Sequence, residues 1–187
     1  SRIWIGMKHP SVIILGYSEA GMLLRQPCAV DVRAIIAIYG QREHPVEIGD
    51  LPHRLVLRFD DTEAPSATDP IQAARIGLRQ REAGETGLAP SPPTIDHARS
   101  IVDFARSIAE LDGTLLCQCQ GGISRSPAAA LLCFAAWAGP GQEQYCVERL
   151  LSIRPSAVPH RDLTAFGDEL LHREGRLMAA LNRIRPY

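Results

Sequence analysis

The chain has 187 residues, enough for one substantial core and few for two domains. Apolar residues make up 45% and charged residues 22%, the balance of an ordinary globule with no excess of Gly or Pro. A formal net charge of -1 leaves no electrostatic footprint for nucleic acid or for an anionic lipid surface, so neither is an expected partner. The basic residues are almost all arginine, Lys8 being the only lysine, which is the bias of a GC-rich coding genome.

Cysteine usage narrows the setting. Cys28, Cys117, Cys119, Cys133 and Cys146 form an odd set, spread through apolar segments without regular spacing. That pattern argues against a secreted disulfide framework and for a reducing cytoplasm. Cys117 and Cys119 make a C-x-C, but no second pair stands at zinc-site spacing, so no metal is expected. The opening Ser-Arg-Ile-Trp-Ile-Gly lacks the apolar stretch and cleavage site of a signal peptide, and no run is long enough to span a bilayer.

In chain order, residues 11–17 (SVIILGY) read as a buried strand, and Ser18 as the N-cap of a helix through Leu24. Residues 33–39 (RAIIAIY), ended by Gly40, read as a second strand. Residues 54–59 (RLVLRF) alternate apolar and charged positions and read as a third, running into Asp60-Asp61-Thr62. Residues 62–93 are the least regular part, with a helix predicted over 71–85. They read as an insertion or cover within one domain that spans 1–187.

From Thr94, a predicted N-cap, apolar residues at 95, 98, 101, 102, 105 and 108 recur at helical spacing, and Gly113 ends that element. Residues 114–119 (TLLCQC) read as a strand, Gln120 to Ser124 as a glycine-bearing loop, and Ser126-Pro127 as the start of an Ala/Leu-rich helix to about Trp137. Gly139-Pro140-Gly141 stops it. Helices are predicted over 142–153, 161–172 and 175–184. Strands alternating with helices indicate an α/β sandwich with a mostly parallel central sheet flanked by helices.

The chemistry-bearing stretch is Cys119-Gln120-Gly121-Gly122-Ile123-Ser124-Arg125-Ser126. A cysteine five residues from an arginine is weak by spacing alone, so its context carries the signal. The cysteine ends an apolar strand, two glycines follow it, and the arginine immediately precedes a helix. Gly121 and Gly122 can turn successive N–H groups inward as a nest for oxyanions. The helix N-terminus adds its positive end, and Arg125 can bind two oxygens with one fork. The same field favours a thiolate at Cys119, a competent nucleophile. Gln120, Gly121, Gly122, Ile123, Ser124 and Arg125 are therefore the expected substrate-binding residues.

These residues resemble the signature loop His-Cys-x-x-Gly-x-x-Arg-Ser/Thr of cysteine-dependent protein phosphatases. Gly122 falls on the family glycine, and Ser124-Arg125-Ser126-Pro127 is similar to the dual-specificity version. The resemblance is strong only over 114–128. More narrowly, the chain resembles bacterial tyrosine phosphatase family proteins carrying Phe-Asp-Asp and Ala-Gly-Ile-Ser-Arg-Ser segments.

The resemblance implies a three-layer phosphatase-like fold and phosphate-monoester hydrolysis through a cysteinyl-phosphate, with no cofactor. It implies Cys119 as nucleophile, Arg125 on the phosphate, and Ser126 donating to the departing thiolate. The implied substrate is phosphotyrosine, another phosphoprotein or a small phosphoester. A loop without lysine speaks against a highly charged phosphoinositide.

The family's general acid is an aspartate after an upstream strand, which points to Asp61, with Asp60 the second choice. The family histidine before the nucleophile is replaced by Gln118. A glutamine hydrogen-bonds without a titratable charge, so retained but weaker activity is expected. Cys117, on the same strand face as Cys119, reads as core, and His97 and His160 as solvated or structural. Two rival readings are a rhodanese-type sulfurtransferase and a non-catalytic phosphate-binding module.

Overall fold

The computed structural model describes residues 9–26, 30–63 and 90–184. The helix predicted over 71–85 and Cys28 lie outside the described residues. Four strands, β1 (Ser11–Gly16), β2 (Val32–Tyr39), β3 (His53–Arg58) and β4 (Thr114–Cys119), form a sheet in the order β1-β4-β2-β3. All pairings are parallel. β4 is flanked on both edges and buried at every residue, the polar Gln118 included. β3 lies at the edge, where Arg54 and Arg58 discourage further strand pairing.

Side chains of adjacent strand residues point to opposite faces, which divides the core in two. Ala34, Ile36 and Ile38 of β2 join Leu115, Cys117 and Cys119 of β4 in the larger cluster. That cluster lies beneath α2 (Ile95–Ser107), α3 (Arg125–Ala138), α4 (Glu143–Ile153), α5 (Arg161–Leu170) and α6 (Arg176–Ile184). Ile35, Ala37, Tyr39 and Leu116 face the other way, onto Ala20 of α1 (Tyr17–Arg25). The result is the predicted three-layer arrangement. No helix among the described residues is long and apolar enough to cross a membrane.

α3 is the hub of the larger layer, buried on nearly all sides because its alanines let neighbouring helices approach closely. Trp137 donates its indole N–H to Ala105 O of α2 at 2.7 Å. Gly167 of α5 backs onto Leu132 of α3, where an added Cβ would come within 2.4 Å of Leu132 Cγ.

One predicted boundary is corrected. Gly16, not Ser18, occupies the N-cap position of α1, and Ser18 lies exposed inside the first turn. Glu19, at the third helical position, reaches back to accept the Gly16 N–H at 2.7 Å, the acid's half of a capping box, while Gly16 has no side chain to supply the other half.

Gly167→Ala is expected to destabilise the fold by about 1–3 kcal/mol through overpacking against Leu132. In urea denaturation the Gly167→Ala/Leu132→Ala double variant should lose less than the sum of the single losses, because the new methyl group enters the vacated space.

Candidate active site

In a parallel sheet, ligands gather at the carboxyl ends of the strands. Here β4 ends between β1 and β2, with Cys119 opposite Gly16 in the register. Gln120, Gly121 and Gly122 lie against the β1–α1 turn. Gly122 has φ 65, and a Cβ there would stand 2.7 Å from both Gly16 N and Leu15 C. Only glycine fits this combination of left-handed backbone and close approach.

The loop's carbonyls are engaged from outside. Gln120 O accepts from Tyr17 N at 3.2 Å, Ile123 O from Val158 N at 2.8 Å, and Ser124 O from His160 N at 3.2 Å. Gly121 O accepts from Arg154 Nη2 at 3.3 Å, while the same guanidinium grips both Glu19 oxygens at 3.1 Å. Arg154 and the Gly16 amide hold the Glu19 carboxyl below its ordinary pKa. By contrast, the N–H groups from Gln120 to Ser124 donate to no acceptor among the described residues. Carbonyls tied back and amides left over are the makings of an anion nest.

Cys119 is buried, and its sulfur accepts a hydrogen bond from Ser126 Oγ at 3.2 Å. Cys117 is fully buried in the core, and burial pushes its thiol pKa well up. Arg125, at 2% exposure, opens α3 with its guanidinium inside the protein. Its Nη1 donates to Glu43 Oε2 and to Phe59 O, each at 3.1 Å, and its Nη2 donates to Glu43 Oε1 at 2.8 Å. Glu43 thus takes the end of the fork. Nε, on the side edge with Nη2, is buried and has no partner among the described residues.

Cys119 and Asp61 lie close enough to act on the charge of Arg125. Burial works against that charge, but the Glu43 carboxylate outweighs it and holds the pKa above its ordinary value. Glu43 is braced in turn. It accepts the Gly40 N–H at 2.6 Å and a short hydrogen bond from the Tyr17 hydroxyl, which also lies 2.8 Å from Ile38 O. Burial alone would raise the Glu43 pKa, but hydrogen bonds from Arg125, Gly40 and Tyr17 bring it below the usual carboxylate value. Burial and the same carboxylate push the Tyr17 pKa far up.

The two aspartates separate clearly. Asp60 accepts the N–H groups of Gln41 at 3.0 Å and Ser91 at 2.9 Å, so it latches two loops together. Asp61 is about half exposed and accepts from Ser124 Oγ at 2.7 Å, which sets it at the rim of the signature loop. Gln118 is fully buried and donates through Nε2 to the Tyr39 hydroxyl at 2.9 Å, on the sheet face opposite Cys119. His97 packs on Phe59 at 4.8 Å between ring centroids and accepts the Thr94 N–H, the position a capping box reserves for an acid. His160 is buried, not solvated.

Sequence reasoning missed Glu43, Tyr17, Glu19 and Arg154 as members of the site. The available signal was positional. Gly40 to Glu43 follow a strand, and Gly16-Tyr17 follow another, so both turns belong to the carboxyl edge where an α/β sheet places its ligand. Which edge turns flank Cys119 depends on the strand order.

No protein-family model and no curated protein matches the sequence. The architecture does match solved structures, and the class it defines is the fold of the tyrosine and dual-specificity phosphatases. Human DUSP28 superposes with a TM-score of 0.55 at 18% identity, over 91% of this chain and 95% of that one. Tk-PTP in its active form gives a TM-score of 0.50 at 16% identity, over 91% of this chain and 99% of that one.

Glu43→Gln should cost about 3–5 kcal/mol, because it leaves the buried Arg125 charge without its counterion. A carboxyl whose folded pKa is depressed adds stability above its unfolded pKa and loses it as pH falls through the folded value. The gap between wild type and variant in chemical denaturation should therefore be full near pH 7 and shrink below about pH 4.

Proposed function

We propose that this protein hydrolyses phosphate monoesters, with phosphotyrosine, another phosphoprotein or a small phosphoester as substrate, through a cysteinyl-phosphate on Cys119. The observation that carries the reading is Arg125, a buried guanidinium held at its far end by Glu43 with Nε left over. Burying a charged donor without an acceptor is costly, so such a group is expected where an anion completes the set. Two oxygens of a phosphoryl group match the Nε–Nη2 edge.

In the first step Cys119 sulfur attacks phosphorus and the bond to the ester oxygen breaks. Asp61 gives its proton to that oxygen. The side edge of Arg125 and the amides of residues 120–124 stabilise charge on the equatorial oxygens. In the second step water attacks the phosphocysteine and loses a proton to the Asp61 carboxylate. The S–P bond breaks, and Ser126 Oγ, already 3.2 Å from the sulfur, donates to the departing thiolate.

Two features support Asp61 over Asp60. Asp61 stands on Ser124 of the loop, whereas both Asp60 oxygens are committed to backbone amides. Ser126 beside the sulfur and an acid at the rim fit phosphoryl transfer better than sulfur transfer, which needs no leaving-group acid.

Aryl phosphates with good and poor leaving groups test the reading. Cys119→Ser should abolish turnover, and Arg125→Lys should lower kcat/KM by about 10²–10³-fold. Asp61→Asn should slow the poor leaving group by about 10²-fold or more and leave the good one nearly unchanged. A wild type that releases no phosphate from any ester, yet carries sulfur from thiosulfate on Cys119, would sink the proposal.

A further inference from the structure

His160, expected from the sequence to be solvated or structural, takes no part in the mechanism above. It is 4% exposed and sits at the N-terminal end of α5, where its carbonyl accepts from Thr164 of the same helix while its ring and its amide reach segments distant in sequence. Its ring Nε2 lies 3.1 Å from Thr62 O. A carbonyl can only accept, so Nε2 carries the hydrogen and donates. The other ring nitrogen, Nδ1, is buried with no partner among the described residues. The bond to Thr62 is therefore what orients the ring.

Three further contacts close a circuit. The His160 backbone N–H donates to Ser124 O at 3.2 Å. Ser124 Oγ donates to Asp61 Oδ1 at 2.7 Å. Asp61 is joined by one peptide to Thr62, whose side chain is itself buried, and its Oδ1 lies 3.9 Å from His160 Nε2. One residue thus holds the main chain of the aspartate loop with its ring and the main chain of the signature loop with its amide. Nothing else among the described residues bonds Thr62 O, which follows the proposed acid directly.

We infer that His160 is a positioning residue for the leaving-group acid, a tie that sets the distance between Asp61 and the Cys119 loop. The inference rests on the phosphatase reading and deepens it. Asp61 is half exposed on a strand-end loop, and among the described residues its carboxylate has one hydrogen bond, from Ser124, which by itself does not fix the main chain. The imidazole N–H on Thr62 O supplies that hold on the main chain. Protonating a leaving oxygen requires an acid within about 3 Å of it, so a loop displaced by a fraction of that distance loses acid catalysis while the nucleophile stays in place.

The test is leaving-group dependence in the full chain. His160→Phe keeps a planar ring and removes the donor; should the larger ring disturb folding, His160→Leu makes the same deletion. Either variant should lose about 10–10²-fold in kcat on an aryl phosphate with a poor leaving group and keep activity on a good one within a few-fold. His160→Gln, whose amide nitrogen can reach the Nε2 position, should restore most of the loss. Combined with Asp61→Asn, the Phe or Leu change should add nothing further.

Equal losses on both esters would reduce His160 to a structural residue and overturn the inference. So would additivity with Asp61→Asn or an unchanged poor-leaving-group rate. A wild type that turns over neither ester overturns the phosphatase reading and this assignment with it. A wild type active on both, with variants that lose equally on both, overturns this assignment alone.

Discussion

A guanidinium buried to 2% exposure between a sheet and its central helix must have its charge answered from within the protein. In this fold the answer is Glu43, two hydrogen bonds long and fixed in place by Gly40 and Tyr17. The arrangement draws three chain segments to one point. Tyr17 follows β1, Gly40 and Glu43 follow β2, and Arg125 follows the loop after β4. Desolvating the pair costs several kcal/mol per ion, and the pairing offsets this only with good geometry on both sides. The turn after β2 and the start of α3 are therefore not independent pieces of structure.

The same pairing sets the electrostatics of the crevice. Glu43 cancels much of the formal charge of Arg125, so the crevice offers an anion no wholly free guanidinium. The remaining attraction comes from dipoles: the start of α3 and the amides of the signature loop, whose carbonyls are tied outward. Dipoles of this kind are oriented before the substrate arrives and need no reorganisation during transfer. Gly122 makes the orientation possible, because its φ of 65 and its contact with β1 leave no place for a side chain. The clamp of Arg154 on Glu19 and Gly121 O fixes the outer side of the same loop. It fastens the loop to the turn on which Gly122 rests.

The elements that carry these contacts were legible in the sequence wherever the cause was local. Residues 114–119 read as a strand because a short, mostly apolar segment stands between Gly113 and a glycine-bearing loop, and β4 has those bounds. The glycines, Arg125 and the helix after them read as an anion loop because backbone freedom and helix dipole act over a few residues. The tie between Glu43 and Arg125 spans 82 positions and exists only once β4 lies between β1 and β2. Asp60 and Asp61 are adjacent in sequence, and only the resemblance ranks Asp61 first. In the fold they part because the amides of Gln41 and Ser91 converge on Asp60, and that convergence is tertiary. Ser18 shows the opposite failure: a good local cap overruled by an acid that Arg154 also wanted.

Gln118 can be judged in the same terms. Adjacent residues of a strand face opposite sides, so this side chain cannot lie beside the sulfur of Cys119 from within β4. Its amide meets the Tyr39 hydroxyl, which also accepts the N–H of Val46, so the residue ties β4 to β2 and to the segment beyond it. What a glutamine changes relative to an imidazole is thus felt first in the layer under α1, and by Cys119 only through the set of the strand. On the sulfur's own side the neighbours are Ser126 and the charge of Arg125. The surroundings of the Cys119 sulfur are set on that face, by groups that Gln118 does not touch.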